Sequence, residues 1–378
     1  MLAHLSTPTT ARVAPKSLNG RTLVKLVYVV LEPQYQSAVA AGAEIINQSN
    51  PVLAVDVKGY LIEELRDADR YREFCDDVAQ ADIFFASMIF IEDLANKIVD
   101  AVKPNLDNLK ASVIFPCMPQ VMRLSKVGSF SMGSMGQSKS AIAQFMKKRK
   151  EQSKKGGSFQ EGMLKMVQTL PKILKYLPME KAQDARNFML SYQYWLGGSP
   201  DNMANLLLML AHHYFPNQRK LGFKPPIEYP DLGIWHPLAA RMFEDVREYL
   251  TWYNNRRDIP EELRDPLAPT VGLILQRTHL VTGDDGHYVA MVQELESRGA
   301  RVVPIFAGGL DCSKPVERFF YSPINNQPLI DVVVSLTGFS LVGGPAKNDP
   351  EAAIASMRKL NRPYIVALPL VFQTTEQW

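Results

Sequence analysis

Runs of apolar residues alternate with helix-spaced segments over the first third of the chain. Residues 23–31 (LVKLVYVVL) are rich in Val and Leu with a single charge, the pattern of a strand buried on both faces of a parallel sheet. Pro33 ends that run, and the alanine-rich spacing of 34–48 predicts a helix. Strands are then expected at 51–57, 81–90 and 112–117, with helices at 62–79 and 92–102 between them. Strict alternation of this kind defines a doubly wound α/β domain, flavodoxin-like or Rossmann-like.

The rhythm changes after Pro119. From about Ser138 to Tyr253 no strand is expected, and helical spacing recurs at 140–150, 162–176, 181–196, 201–214 and 238–253. Ser199-Pro200-Asp201 is a helix start, with Ser or Asp free to cap and Pro tolerated in the first turn. Residues 225–237 hold four prolines and read as a loop, and 260–269 as a linker. The α/β rhythm then returns. Strands are expected at 271–276, 301–306, 329–335 and 364–370, and helices at 285–298 and 350–360, the first closed by Gly299. The fold class is therefore α/β: two doubly wound parallel-sheet lobes with a mainly helical region between them. The expected division is a flexible N-terminus (1–20), a first α/β domain (21–135), a helical region (136–265) and a second α/β domain (266–378). That last sheet stops short of the usual strand count, as in a piece of something longer.

Composition narrows the function classes. With 378 residues, 46% hydrophobic and 21% charged, the chain is long enough for two or three ordinary cores. A net charge of +3 is too small to make nucleic acid the main partner. Cys75, Cys117 and Cys312 lie far apart and form no metal-type or disulfide spacing, which fits a reducing compartment. No apolar run approaches the ~20 residues of a membrane span. The first 31 residues hold no acid, faintly like a transit peptide, and read as a flexible bacterial N-terminus or the stub of a processed one.

Gly133–Ser140 (GSMGQSKS) differs by one letter from the phosphate loop G-x-x-x-x-G-K-[ST]. Ser138 replaces the second glycine, and the nearest expected strand ends at Cys117, so a Gly/Ser linker is the favoured reading. Lys147-Lys-Arg-Lys150 with Lys154-Lys155 has no aromatic partner for base stacking and reads as a solvated helix end.

Other candidates gather where second-lobe strands end, the edge at which open α/β sheets bind ligands. His279, Asp284, Asp285 and His287 follow the first of those strands. They could hold a metal or move protons, or else cap a helix and pack. Gly308, Gly309, Gly343 and Gly344 follow two later strands at that edge. Trp195 and Trp235, each beside flexible backbone, are candidates to line an apolar pocket, with simple packing the alternative. His212-His213 reads as a packing pair on a helix. No metal site is assigned.

Several strings, taken in order, resemble the porphyrin-binding H subunit of magnesium chelatase. They include Phe115-Pro-Cys-Met-Pro-Gln-Val-Met-Arg123, Gly128-Ser-Phe-Ser-Met132 with Gly136-Gln-Ser-Lys-Ser140, and Trp195-Leu-Gly-Gly-Ser-Pro-Asp-Asn202. Thr282-Gly-Asp-Asp-Gly-His-Tyr288, Ile305-Phe-Ala-Gly-Gly-Leu-Asp311 and Leu341-Val-Gly-Gly-Pro345 belong with them. The likeness runs from about Leu23 to Trp378, and the large subunit of cobalt chelatase is a more distant relative. It implies protoporphyrin IX and Mg²⁺ as substrates, and ATP hydrolysis on separate AAA+ partners, the I and D subunits. A porphyrin-binding activator protein is implied as well, in a bacterial cytoplasm or chloroplast stroma. The H subunits so resembled are several times longer, and their His- and Glu-bearing motif lies beyond residue 378. The resemblance thus places no catalytic residue here. On the residues alone, a small-ligand binding module of two α/β lobes is the alternative.

Overall fold

A computed structural model describes residues 12–135, 171, 174, 179–265, 267–338, 340–344, 347–368 and 376. The chain divides into two compact units, Met1–Glu228 and Tyr229–Trp378.

The first unit is built on strands β1 (Arg12–Val13), β2 (Thr22–Val30), β3 (Leu53–Leu61), β4 (Ile83–Ser87), β5 (Ala111–Ile114), β6 (Lys126–Val127) and β7 (Phe130–Ser131). They form one sheet in the order β1-β3-β2-β4-β5-β6-β7. Strands β3, β2, β4 and β5 are parallel, while β1, β6 and β7 run antiparallel to their neighbours. Numbered along the chain, the parallel strands lie in the order 2-1-3-4, the flavodoxin-like winding. Strand β2 explains its own apolar run. Val24, Leu26, Tyr28 and Val30 enter one core, and Val27 and Val29 enter the other. Gly59 of β3 lies under the Tyr28 ring, where a Cβ would fall 2.2 Å from the phenol oxygen.

Helices cover both faces. Helices α2 (Ala68–Ala79) and α3 (Glu92–Val102) close one side, and α1 (Gln34–Ser49), α4 (Glu180–Gly197) and α5 (Pro200–Tyr214) the other. The string Trp195–Asn202 makes the turn between α4 and α5. Gly198 takes φ +64°, a left-handed conformation that a side chain would strain. Ser199 Oγ accepts from Asn202 N, and Pro200 occupies the first turn. The Asn202 side chain then holds both backbone groups of Ile227, accepting from N at 2.8 Å and donating to O at 3.0 Å.

The second unit contains β8 (Leu232–Ile234), α6 (Val246–Asn254), β9 (Thr270–Gln276), α7 (Arg277–Thr282), α8 (Gly286–Ser297), β10 (Arg301–Ala307) and α9 (Ser313–Phe319). Strands β11 (Val332–Ser335), β12 (Gly343–Gly344) and β13 (Lys347–Asn348), helix α10 (Pro350–Leu360) and β14 (Tyr364–Val366) follow. Its main sheet runs β14-β11-β9-β10-β8, with β8 antiparallel at one edge. Its parallel strands again follow the order 2-1-3-4.

Both lobes and their α/β class match the expectation, and several details differ. Arg12–Val13, inside the segment expected to be flexible, pairs with Lys58 and Val57 as an edge strand. The helix expected at 62–79 breaks at Asp67, whose carboxylate caps α2 by accepting from Asp69 N and Arg70 N. The hairpin β6–β7 places a two-residue strand just before Gly133, where none was expected. It is a short antiparallel edge, not the parallel strand that feeds a phosphate loop. Residues 136–140 of that motif, the basic run 147–155, the helix expected at 140–150 and all but residues 171 and 174 of the helix expected at 162–176 lie outside the described residues. Strand β8 falls in the region expected to lack strands. The helix expected from 238 starts at Val246, because Asp245 caps there with bonds from Arg247 N and Glu248 N. The remaining helices are shared out: α4 and α5 pack in the first core, and α6 in the second.

Candidate functional site

The candidate site is the carboxyl edge of the second sheet. After β9 the chain makes a short helix, α7, and Gly283 ends it at φ +76°. Asp284 N donates to His279 O, folding the loop back on the helix. This return sets the Asp284 carboxylate 3.3 Å from His279 Nδ1. With Nδ1 donating to Asp284, Nε2 of the neutral ring is an acceptor. His279 is buried, while the His287 ring lies exposed 5.0 Å away, edge-on. Tyr288 packs on His287 at 3.9 Å, and its hydroxyl accepts from Gln276 N at 3.2 Å, tying α8 to the end of β9. Burial of Tyr288 raises its pKa.

Asp285 stands at the N-cap position just before α8 but makes no side-chain capping bond. Burial raises its carboxyl above the usual range. Capping by either aspartate, one of the alternatives left open above, is thus not used. Among the described residues, no group of three or more His, Cys, Asp or Glu is placed to hold a metal ion. What the arrangement offers is an Asp–His pair and a second imidazole, groups that accept and hand on protons.

Two further loops reach the same edge. Gly308 N donates to Asp231 O at 2.6 Å, and a Cβ on Gly308 would lie 3.0 Å from Arg277 Nε. Beside Gly309 the space is open. The loop carrying Gly343 and Gly344 crosses onto the loop after β10, with Gly343 N donating to Leu310 O at 2.7 Å and Cys312 N to Leu341 O at 2.8 Å. Gly343 has φ +96°. At the end of β11, Ser335 Oγ and Thr337 Oγ1 are 3.1 Å apart and buried.

Arg277 was not singled out from the sequence. Its Nη1 donates to Tyr229 O at 3.1 Å, while its buried Nε has no partner. No signal in a single sequence marks it, because its neighbours Asp231 and Gly308 are distant along the chain.

The two tryptophans are not part of this edge. Trp195 is buried in the first unit, stacked between Phe115 at 4.2 Å and Tyr35 at 4.8 Å, with Nε1 donating to Ser87 Oγ at 3.2 Å. Phe85 meets it edge-on at 5.9 Å. These partners sit at or next to the carboxyl ends of β2, β4 and β5. The indole therefore occupies the crevice at which this winding usually admits a ligand. Trp235 is 9% exposed in the second core, its backbone N donating to Pro304 O at 2.9 Å. His212 Nδ1 lies 2.8 Å from Leu221 O and its ring packs on Phe223, a local packing role.

A second polar cluster lies within the second unit's core. Glu296 accepts from Arg256 Nη1 at 2.6 Å and Tyr253 OH at 2.7 Å, and lies 3.2 Å from His236 Nε2. Leu238 N donates to His236 Nδ1 at 3.2 Å, and Arg256 Nη1 lies 3.0 Å from His236 Nε2, so both ring nitrogens are engaged. Although burial opposes the shift, these donors hold the Glu296 carboxyl down at about 2. Burial also lowers the His236 pKa.

Two flavodoxin-like units, the second gathering loops at the carboxyl edge of its sheet, define a protein of the doubly wound α/β class. Comparison with known proteins makes the class specific. Residues 192–378 match the family CobN/Magnesium Chelatase, and residues 25–189 match a domain of unknown function (DUF3479). The border between the two matches falls inside α4. The chain is 55% identical to the magnesium-chelatase subunit ChlH, chloroplastic, of Oryza sativa over 98% of its length, spanning 27% of that protein. It is 38% identical to the magnesium-chelatase H subunit of Cereibacter sphaeroides over 80% of its length and 24% of the relative's. Aerobic cobaltochelatase subunit CobN of Sinorhizobium sp matches 42% of the chain at 26% identity. The catalytic subunit of cobaltochelatase from Mycobacterium tuberculosis superposes with a TM-score of 0.44 at 12% identity, covering 91% of this chain and 21% of that one, too loosely to support an argument. The chain belongs to the magnesium chelatase H-subunit family and spans about a quarter of the length of the curated relatives it matches.

Proposed function

We propose that the chain is the N-terminal part of a magnesium chelatase H subunit, the component that takes protoporphyrin IX for ATP-dependent Mg²⁺ insertion in chlorophyll biosynthesis. The identity of 55% across 98% of the chain carries this reading. Mg²⁺ sheds its water reluctantly and the porphyrin must lose two pyrrole protons, so coupling to ATP hydrolysis is physically reasonable. In this reading ATP is consumed on the AAA+ I and D subunits. The chain supplies scaffold, porphyrin access and docking for those subunits and for a porphyrin-binding activator. It works in the chloroplast stroma or a bacterial cytoplasm.

The ligand-facing part is the edge formed by His279, Asp284, Asp285, His287, Gly308, Gly309, Gly343 and Gly344, joined by Arg277. Glycines let backbone approach a flat ligand closely, and the Asp284–His279 pair supplies a proton acceptor. Insertion itself belongs to residues of the longer subunit. Titration of the chain with protoporphyrin IX, followed by porphyrin fluorescence, is expected to saturate. A linear, unsaturable response would favour a generic two-lobed ligand module instead. Mixed with I and D subunits, porphyrin, Mg²⁺ and ATP, the chain alone is expected to form no magnesium porphyrin.

A further inference from the structure

The loop between β4 and α3 departs from every expectation for a solvent loop. Met88 is not glycine, yet it holds φ +64°, a left-handed conformation that strains a residue bearing a side chain. Three bonds fix it there: Met88 N donates to Pro116 O at 2.9 Å, Ile89 N to Cys117 Sγ at 3.4 Å, and Met118 N to Ile89 O at 2.8 Å. Ile89 is fully buried and anchors the loop in the core beneath.

The strained, pinned turn has one visible result. It presents Phe90 and Ile91, which are 55% and 37% exposed and belong to neither core of this unit. Glu92 and Asp93 follow, both exposed, and together they make an apolar knob with an acidic rim. The knob stands after β4, beside the point where the strand order reverses, although the crevice at that point is closed by Trp195. A small ligand has no opening there, whereas a protein surface needs none. Neighbouring exposed apolar side chains on a preorganised backbone are how docking anchors are built, since little ordering remains to be done on binding.

We propose that Phe90 and Ile91 are a protein-docking knob, whose partner offers an apolar pocket rimmed by Lys and Arg. The acidic rim selects that sign of charge and speeds encounter. This rests on the reading that the chain docks ATP-hydrolysing partner subunits, which serve as the probe.

The test measures binding of the chain to purified I and D subunits by biolayer interferometry, at low and at high salt. The Phe90→Ser, Ile91→Ser double variant is expected to lose affinity at least tenfold with an unchanged melting temperature. Glu92→Lys with Asp93→Lys should slow association and flatten its salt dependence. Ile324→Ser, an equally simple change at a residue 91% exposed, should leave binding as it is. If the native chain binds and the double variant binds equally well, the knob is wrong and the proposed function stands. Failure of the native chain to bind either subunit removes the docking role and the knob with it. Self-association of the native chain that the double variant abolishes, seen by light scattering, assigns the knob to a second copy and overturns the proposal.

Discussion

The two units share one winding and treat its carboxyl edge in opposite ways. In each, four parallel strands run 2-1-3-4 and an antiparallel strand closes the edge beside strand 2. The first unit fills its crevice with its own indole, between Tyr35 and Phe115. The second leaves at the matching edge an Asp–His pair, an exposed imidazole and open backbone at Gly309. The same topology therefore serves as a packed scaffold in one unit and as a candidate ligand edge in the other. What decides is which side chains meet at the edge: Trp195 arrives from α4 in the first unit, while the rings packed on His287 are those of Tyr288 and His279, its near neighbours in sequence.

Breaking the scaffold side should have the largest effect. Trp195→Ala removes the centre of the aromatic stack, and a loss of about 3–5 kcal/mol is expected in denaturant unfolding of the first unit. A transition unchanged from the native protein would show that the indole is not a structural plug. Glu296→Ala leaves the buried Arg256 guanidinium with Asp258 as its remaining carboxylate partner, and about 3 kcal/mol should be lost from the second unit alone. Calorimetry with separable transitions distinguishes the two variants.

Acid should act on both units, since burial holds His213 of the first down at about 4 and lowers His236 of the second. His236 has a folded pKa below its ordinary value because burial disfavours the cation. As pH falls through about 6.5, the unfolded chain takes up a proton that the folded ring refuses, so stability declines. Glu296, depressed to about 2, stabilises the fold above the ordinary carboxyl pKa, and that share disappears as pH falls toward 2. Both signs agree. Unfolding midpoints of the second unit should drop from pH 7 to 5, and His236→Gln should flatten that slope. A slope unchanged in the variant would place the titration elsewhere. The smallest effect expected is from Gly198→Ala, about 1 kcal/mol, because φ +64° strains any side chain there.

How much of this was readable beforehand depended on whether the cause was local. Strand β2 carries its double-sided burial in nine consecutive residues, and α3 was placed at 92–102 as observed. Strand β8 was not readable: three residues among prolines have no period, and their strand character comes from pairing with Ile305–Ala307 far along the chain. The start of α6 was missed because helix-forming content from Leu238 outweighed the one capping residue, Asp245. At the candidate edge, His279, Asp284 and His287 were legible because α7 and one glycine turn bring them together within nine residues. Arg277 and the Glu296 cluster were not, since their partners lie tens of residues away. The phosphate-loop likeness illustrates the converse. A string can match a motif and still lack the parallel strand that gives the motif its geometry.

Porphyrin titration of the native chain alongside Trp195→Phe and the His279→Ala, His287→Ala double variant tests the contrast most directly. Saturable quenching is predicted for the native chain and for Trp195→Phe, with affinity about tenfold weaker, ~1.4 kcal/mol, in the double-histidine variant. Equal affinity in all three, or loss confined to Trp195→Phe, would contradict the assignment of a closed first unit and an open second.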